Sequence, residues 1–337
     1  MRSTPTDKPR SGSDAGARHP EGAATSAPSG PRILRTVARS RAALRLAPVL
    51  TIRQKDTRVA FWFQLPMVLV VLGLVAYPFF EAIRLSLTDQ VVGSTQAEFI
   101  GLSNYQSVFG EVGFRNAFRN TMVWSFITIA FKLSLGMLMA LVLHQSFRGS
   151  MFVRGLLLIP WIIPTPISAL VWVWIFSDVG GVLNGILNTD VAWLGAPTIA
   201  FASVVSVQIW RGTPFFGIIL LAGLKAIPQE RYEAAAIDGA NALQRFIHVT
   251  LPGLRFVILV ACLLEAVWAL GDFSIVWIMT RGGPAGATQL LATLSYQTAF
   301  LSSDLARGIA ISLFPLPILA LLIIGFTYLM DKGKDDV

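Results

Sequence analysis

A handful of polar side chains stand inside an otherwise apolar chain and are the candidates for its chemistry. Glu265, Trp268 and Asp272 fall at i, i+3 and i+7 of an apolar run, which predicts that all three share one face of a helix. Ionisable groups inside hydrocarbon are costly and mark a path or a site by default. Carboxylates accept hydrogen bonds from hydroxyls, and an indole packs on the apolar face of a sugar ring, so the triplet suits a neutral glycan. The structural alternative is an acid paired with a cation from another segment, for which Lys132, Arg211 and Arg307 are available. Gln208 and Arg211 share a face by the same spacing, and Arg211 would instead favour an anionic solute.

A second polar island reads EAAAIDGANALQRFIHVTLP over residues 233 to 252. Glu233, Asp238, Asn241, Gln244 and Arg245 cannot lie in hydrocarbon, where each charge costs roughly 2.5 to 3.5 kcal/mol on insertion scales. The stretch must face water or another protein. Ala234, Ala235 and Ala236 keep one helix face slim enough to seat in a groove. Gly239 is placed to end or bend that helix, since glycine accepts positive φ without strain. Glu233 and Asp238 offer acceptors to backbone donors or arginines of a partner.

Enzyme chemistry finds no support in the motifs. There is no GxxxxGK[ST] loop to cradle a nucleotide, and nothing resembles a nucleophile elbow or a zinc-binding helix. Cys262 is the single cysteine, so no internal disulfide can form, and it reads as a small lipid- or helix-facing residue. His19, His144 and His248 are scattered without ligand spacing, which argues against a metal site.

The frame that holds these groups follows from composition. With 337 residues, 54% of them hydrophobic and 14% charged, and a mean hydropathy of +0.63, the chain is a multi-span membrane protein. A bilayer core of about 30 Å needs about 20 apolar residues per helix. Six segments qualify, near 60–85, 118–143, 153–177, 198–224, 253–279 and 306–330. Residues 1 to 58 hold 12 Lys/Arg against 4 Asp/Glu, while the rest holds 15 of each, so the net charge of +8 belongs to the tail. A basic segment before a first span is a positive-inside signal rather than a nucleic-acid site. The 144–154 loop carries Arg148 and Arg154, and the 225–250 loop carries Lys225, Arg231 and Arg245, whereas 178–197 carries Asp178 and Asp190 without a cation. That asymmetry predicts cytoplasmic amino and carboxyl termini and a cytoplasmic 233–252 stretch.

Residues 1–31, rich in Ser, Gly, Pro, Ala and Thr, are expected to be disordered. Arg32, Arg35 and Arg39 have the spacing of a helix lying on an anionic leaflet, with a solvated tail as the alternative. The long basic stretch lacks the short apolar core and cleavage site of a signal peptide. Pro160, Pro164, Pro166, Pro214, Pro315 and Pro317 fall inside apolar segments and predict kinks, which membrane bundles tolerate where neighbours satisfy the freed carbonyls. The 178–197 segment reads as an external loop that either lies on the surface or dips against a partner.

The pattern Glu-Ala-Ala, then Asp-Gly-Ala, a Phe and a Leu-Pro resembles the coupling loop of ABC-importer permeases, carried here by Glu233, Ala234, Ala235, Asp238, Gly239, Ala240, Phe246, Leu251 and Pro252. GLSNYQSVF at 101–109, IPWIIPTPISALVWVWIF at 159–176 and TRGGPAGAT at 280–288, followed by Tyr296 and Phe300, resemble stretches of permeases for maltose and other multiple-sugar carbohydrates. The likeness runs from about residue 60 to the end and omits the basic tail. It implies the all-α type I importer permease fold of six membrane helices, a 59–337 permease domain, and a multi-pass place in a bacterial or archaeal cytoplasmic membrane. It also implies a heterodimer with a related permease, two ATPase subunits that bind ATP and magnesium, and an extracytoplasmic solute-binding protein, with no cofactor on this chain. ATP-driven closure of the ATPases would move the 228–246 segment and rock the spans from inward- to outward-facing. Two rivals stay open: the same architecture carrying a polyol or glycerol-phosphate-type solute, suggested by Arg211, and an ion-driven secondary transporter with Glu265 and Asp272 as a proton relay, which would need internal repeats that are not evident.

Overall fold

The computed structural model describes residues 50–94, 96–145 and 148–332. The expected disordered or interfacial basic tail therefore falls, except for its last residues, outside the described residues. The chain divides into two compact units, Met1–Leu69 and Val70–Val337. A helix over Leu50–Val71 belongs mostly to the first, and the second carries the groups discussed below.

Every regular element among the described residues is helical. Five helices are long and apolar enough to cross a membrane: α1 (Phe61–Ser86), α3 (Val112–His144), α7 (Pro197–Ala226), α9 (Ala242–Leu270) and α12 (Leu305–Lys332). A sixth span is obtained if α4 (Ser150–Ile162) and α5 (Thr165–Ile175) are counted as one element bent by 92°. Shorter helices fill the turns: α2 (Ser103–Gly110), α6 (Val182–Leu187), α8 (Gln229–Ile237), α10 (Ser274–Met279) and α11 (Leu291–Tyr296).

Two of the six expected segments are broken. The 153–177 segment stops at Ile163, which is extended at φ −65° and ψ 130°. The reason is local: the ring of Pro164 disfavours helical backbone in the residue before it. The 253–279 segment ends as a helix at Leu270, and Gly271 leaves helical geometry at φ −100° and ψ 9° before α10 begins.

The core lies in three apolar clusters along the spans. One gathers Trp124, Phe176, Val204, Ala269 and Ile275, a second Met137, Leu143, Phe216, Leu220 and Leu254, and a third Val108, Phe114, Leu291 and Ile311. Since lipid is as apolar as leucine, close packing and polar pairs hold such helices together, rather than water exclusion. Polar staples serve the loops. Asn104, from the GLSNY stretch, donates Nδ2 to the carbonyls of Ser86 (2.9 Å) and Thr88 (2.7 Å), satisfying acceptors left free where α1 ends. Tyr105 Oη lies 2.7 Å from Ser86 Oγ. In 178–197, Asn184 Oδ1 accepts from Trp193 Nε1 at 2.8 Å and from Val191 N at 3.2 Å, folding that loop on itself.

Candidate functional site: a protruding helical turn and an intramembrane polar cluster

The polar island forms a helix, a turn and a helix. Pro228 starts α8, and Arg231 N donates to the Pro228 carbonyl at 3.2 Å. Gly239 sits at φ +79°, with its N–H on the Ala236 carbonyl at 3.1 Å and the Ala240 N–H on the Ala235 carbonyl at 2.9 Å. These two bonds make a Schellman ending, which satisfies carbonyls a helix terminus otherwise leaves bare. Asn241 opens α9 with a reciprocal capping box to Gln244, at 2.9 and 2.8 Å. Pro252, which lacks an N–H, is accommodated behind a π-helical turn at Phe246–Thr250.

The turn is anchored on one side and open on the other. Phe246 and Leu251 pack on the cluster of Leu143, Leu224 and Leu254, and Tyr232 Oη meets Thr250 Oγ1 at 3.1 Å. Glu233, Ala234, Asp238 and Gly239 are exposed, whereas Ala235 and Ala240 are partly covered. Ile237 is 87% exposed and Leu243 66% exposed beside them. These two apolar side chains escaped the sequence reading, because an isoleucine or leucine in a chain this apolar carries no signal until its surroundings are known.

The intramembrane acids separate rather than line up. Glu265 is buried on α9 and ion-paired with buried Lys132 of α3, so it takes the structural alternative. Trp268, on the same helix, is 50% exposed and lies edge-on to Phe215 of α7, with centroids 5.1 Å apart. The shared helix face expected for Glu265, Trp268 and Asp272 does not form, because α9 ends before Asp272. Arg307, the third cation considered, pairs with Glu111 instead.

Asp272 and Gln208 come together. The Asp272 carboxylate accepts from Gln208 Nε2 and, at 3.3 Å, from Trp124 Nε1. Gln208 Oε1 is buried and accepts from nothing among the described residues. Arg211, one turn on, is partly buried, and its Nε donates to nothing among them. The two therefore do lie on neighbouring positions of α7, as the spacing requires, but only Gln208 engages the acid.

Three aromatic side chains from α4, α7 and α9 meet as a patch. Trp161, at the end of α4 where the bend begins, is 48% exposed and its ring lies 6.5 Å from that of Phe215. Trp161, Phe215 and Trp268 thus form a chain of rings contributed by three helices. Trp161 and Phe215 were not singled out from sequence, since the packing of α4 on α7 that brings their rings together is a tertiary feature. No group of three or more metal-ligating side chains occurs among the described residues. Cys262 packs partly buried against the second cluster.

Comparison with known proteins places this geometry. The chain is 36% identical over 285 residues to the trehalose/maltose transport system permease protein MalF of Thermococcus litoralis, a match covering 83% of this chain and 95% of that protein. It is 33% identical over 262 residues to the sulfoquinovosyl glycerol transport system permease protein SmoG of Agrobacterium fabrum, covering 76% of this chain and 85% of that one. A solved bacterial ABC transporter involved in the import of the acidic polysaccharide alginate shares the fold, with a TM-score of 0.74 at 20% identity over 84% of this chain and 98% of that chain. Residues 132–332, more than half of the sequence, match the family described as binding-protein-dependent transport system inner membrane component. The protruding turn, the broken spans and this match lead to one conclusion: the chain belongs to the family of inner-membrane components of binding-protein-dependent transport systems.

Proposed function

We propose that this protein is a permease subunit of an ATP-driven importer, forms half of a translocation path for an oligosaccharide or related carbohydrate, and is coupled to a separate ATPase through the 233–252 segment. The observation that carries the coupling is the α8–Gly239–α9 turn, rigid in its backbone bonds and anchored by Phe246, yet presenting Ile237 and Leu243 uncovered beside Glu233 and Asp238. An apolar pair exposed among charges is the composition of an interface rather than of a solvated loop. Ala234, Ala235 and Ala240 allow close approach, and α9 carries the chain from the turn through Pro252 without a break.

The carbohydrate reading rests on Trp161, Phe215 and Trp268 together with Asp272 and Gln208. Aromatic faces with a few convergent polar groups are what binding a sugar ring and its hydroxyls requires. The named sugar-transporting relatives support it. One observation favours an anionic solute of the polyol- or glycerol-phosphate type as a second reading: Arg211 holds a buried Nε without a partner among the described residues. In this reading the termini and the coupling turn are cytoplasmic, as the loop charges imply. A second permease completes the path, two ATPase copies bind the turns with their ATP and magnesium, and an extracytoplasmic binding protein delivers solute.

The test is reconstitution in vesicles. Uptake of a labelled oligosaccharide is expected only with the partner permease, the ATPase, ATP and the loaded binding protein present together. Accumulation by this chain alone under a pH gradient would instead establish an ion-driven transporter, and competition by phosphorylated but not neutral solutes would favour the Arg211 reading.

A further inference from the structure

The turn at 280–289 is more elaborately built than a connector needs to be. Asn120, in the first third of α3, donates to the carbonyls of Gly286, Ala287 and Gln289 at 3.3, 3.1 and 3.2 Å. Thr121 Oγ1 accepts the Leu291 N–H at 2.9 Å, and Thr280 and Thr288 join their hydroxyls at 2.7 Å. Gln289 donates to Gln297 at 3.0 Å, and Gln297 donates to the Arg281 carbonyl at 2.9 Å. Arg281 and Ala285 are held at φ +53° and +49°, a region that non-glycine residues enter only when their surroundings impose it.

This framework surrounds a cavity of about 380 Å³ lined by Gly113, Asn116, Arg281, Gly286, Gln289 and Gln297, among others. Its lining carries one cation. Arg281 spends its carbonyl on Gln297, while its exposed guanidinium makes no ion pair among the described residues. The acid Glu111, at the start of α3, is engaged by Arg307. The cavity is also remote from the protruding turn. α3 is 33 residues long, or about 50 Å, its far end packs with Phe246 and Leu251, and its near end holds the 280–289 turn.

We infer that the 280–289 turn is a preformed receptacle for an acidic side chain of the solute-binding protein, with Arg281 as its charge contact and Asn116, Gln289 and Gln297 as neutral walls. This rests on the importer reading above, which puts the turn on the extracytoplasmic side. Charge complementarity selects the occupant: a cavity braced by hydrogen bonds, with the unopposed guanidinium of Arg281 in its lining and no acid there, fits a carboxylate, to which a guanidinium offers paired donors. Contacts of this kind act on encounter and orientation more than on the chemistry that follows.

The experiment measures ATPase activity of the assembled transporter against the concentration of solute-loaded binding protein. Arg281→Glu should raise the half-saturating concentration about tenfold at low salt, with the plateau unchanged and the difference shrinking as salt screens it. Asn116→Trp, at an exposed position, fills the cavity without altering charge and should also raise it. Superimposable curves, or a lowered plateau at an unchanged half-saturating concentration, overturn the proposal. A shift in the dependence on solute at saturating binding protein would make the pocket a saccharide subsite and overturn it too. If the wild-type complex shows no stimulation at all, the importer reading fails and the docking site with it.

Discussion

Lys132 of α3 and Glu265 of α9 form an ion pair with both side chains withdrawn from solvent, at 2% and 4% exposure. A notch in a third helix makes it fit: a Cβ added to Gly212 of α7 would lie 2.3 Å from Lys132 Cε and 2.7 Å from its Nζ. One lysine therefore ties together α3, α7 and the helix that leads directly out of the protruding turn. Removing one partner of a buried pair strands a charge and costs roughly 3 to 5 kcal/mol, whereas replacing both with apolar groups is often neutral or better. Lys132→Met and Glu265→Leu should each lower the thermal midpoint and the extraction yield of the assembled transporter, and the double variant should recover most of the loss. Additive losses in the double variant would show that the two residues act separately.

The notch makes its own prediction. Gly212→Ala overfills the site, at a cost of about 1 to 3 kcal/mol, and that cost should disappear when Lys132 is also shortened to Ala. The same thermal-midpoint measurement reads it; equal effects in both backgrounds would place the Gly212 requirement elsewhere.

Gly239 has open space around it, so its requirement lies in the backbone, at φ +79°. A left-handed residue with a Cβ costs roughly 1 to 2 kcal/mol. Gly239→Val should leave the permease inserted while abolishing ATP-linked uptake and loosening co-purification of the ATPase. Gly239→Asn, which tolerates that region, should retain much of both. Normal uptake in the valine variant would remove the turn from the coupling mechanism.

The aromatic patch and Asp272 should separate binding from assembly. Trp268→Ala and Trp161→Ala are expected to raise the apparent KM for uptake roughly tenfold, in line with the ~0.5–1.5 kcal/mol that aromatic contacts supply beyond buried area. Asp272→Asn should weaken uptake while the Gln208 and Trp124 contacts hold the loop. In all three the ATPase subunits should still co-purify; their loss would assign the residues to packing.

Much of this molecule is legible before folding. Spans follow from runs of apolar residues, because a bilayer imposes length and excludes charge, and the charged run from Glu233 to Arg245 could not have been a span under any fold. Gly239 as a helix stop was readable too, since φ above zero is a local property of the backbone. The fates of the acids were not. Helical spacing put Glu265, Trp268 and Asp272 on one face, but Gly271 ended the helix between them, and the partner of each lay more than sixty residues away in sequence: Lys132 for Glu265, Gln208 and Trp124 for Asp272. Trp161 and Phe215 gave no signal in a chain rich in aromatics until the packing of α4 on α7 brought them together. Residue order alone settles which segments can enter the membrane, because that depends on each residue's transfer from water. Which buried charge meets which, and which rings pack together, depends on the folded chain, because pair energies depend on distances that no local rule contains.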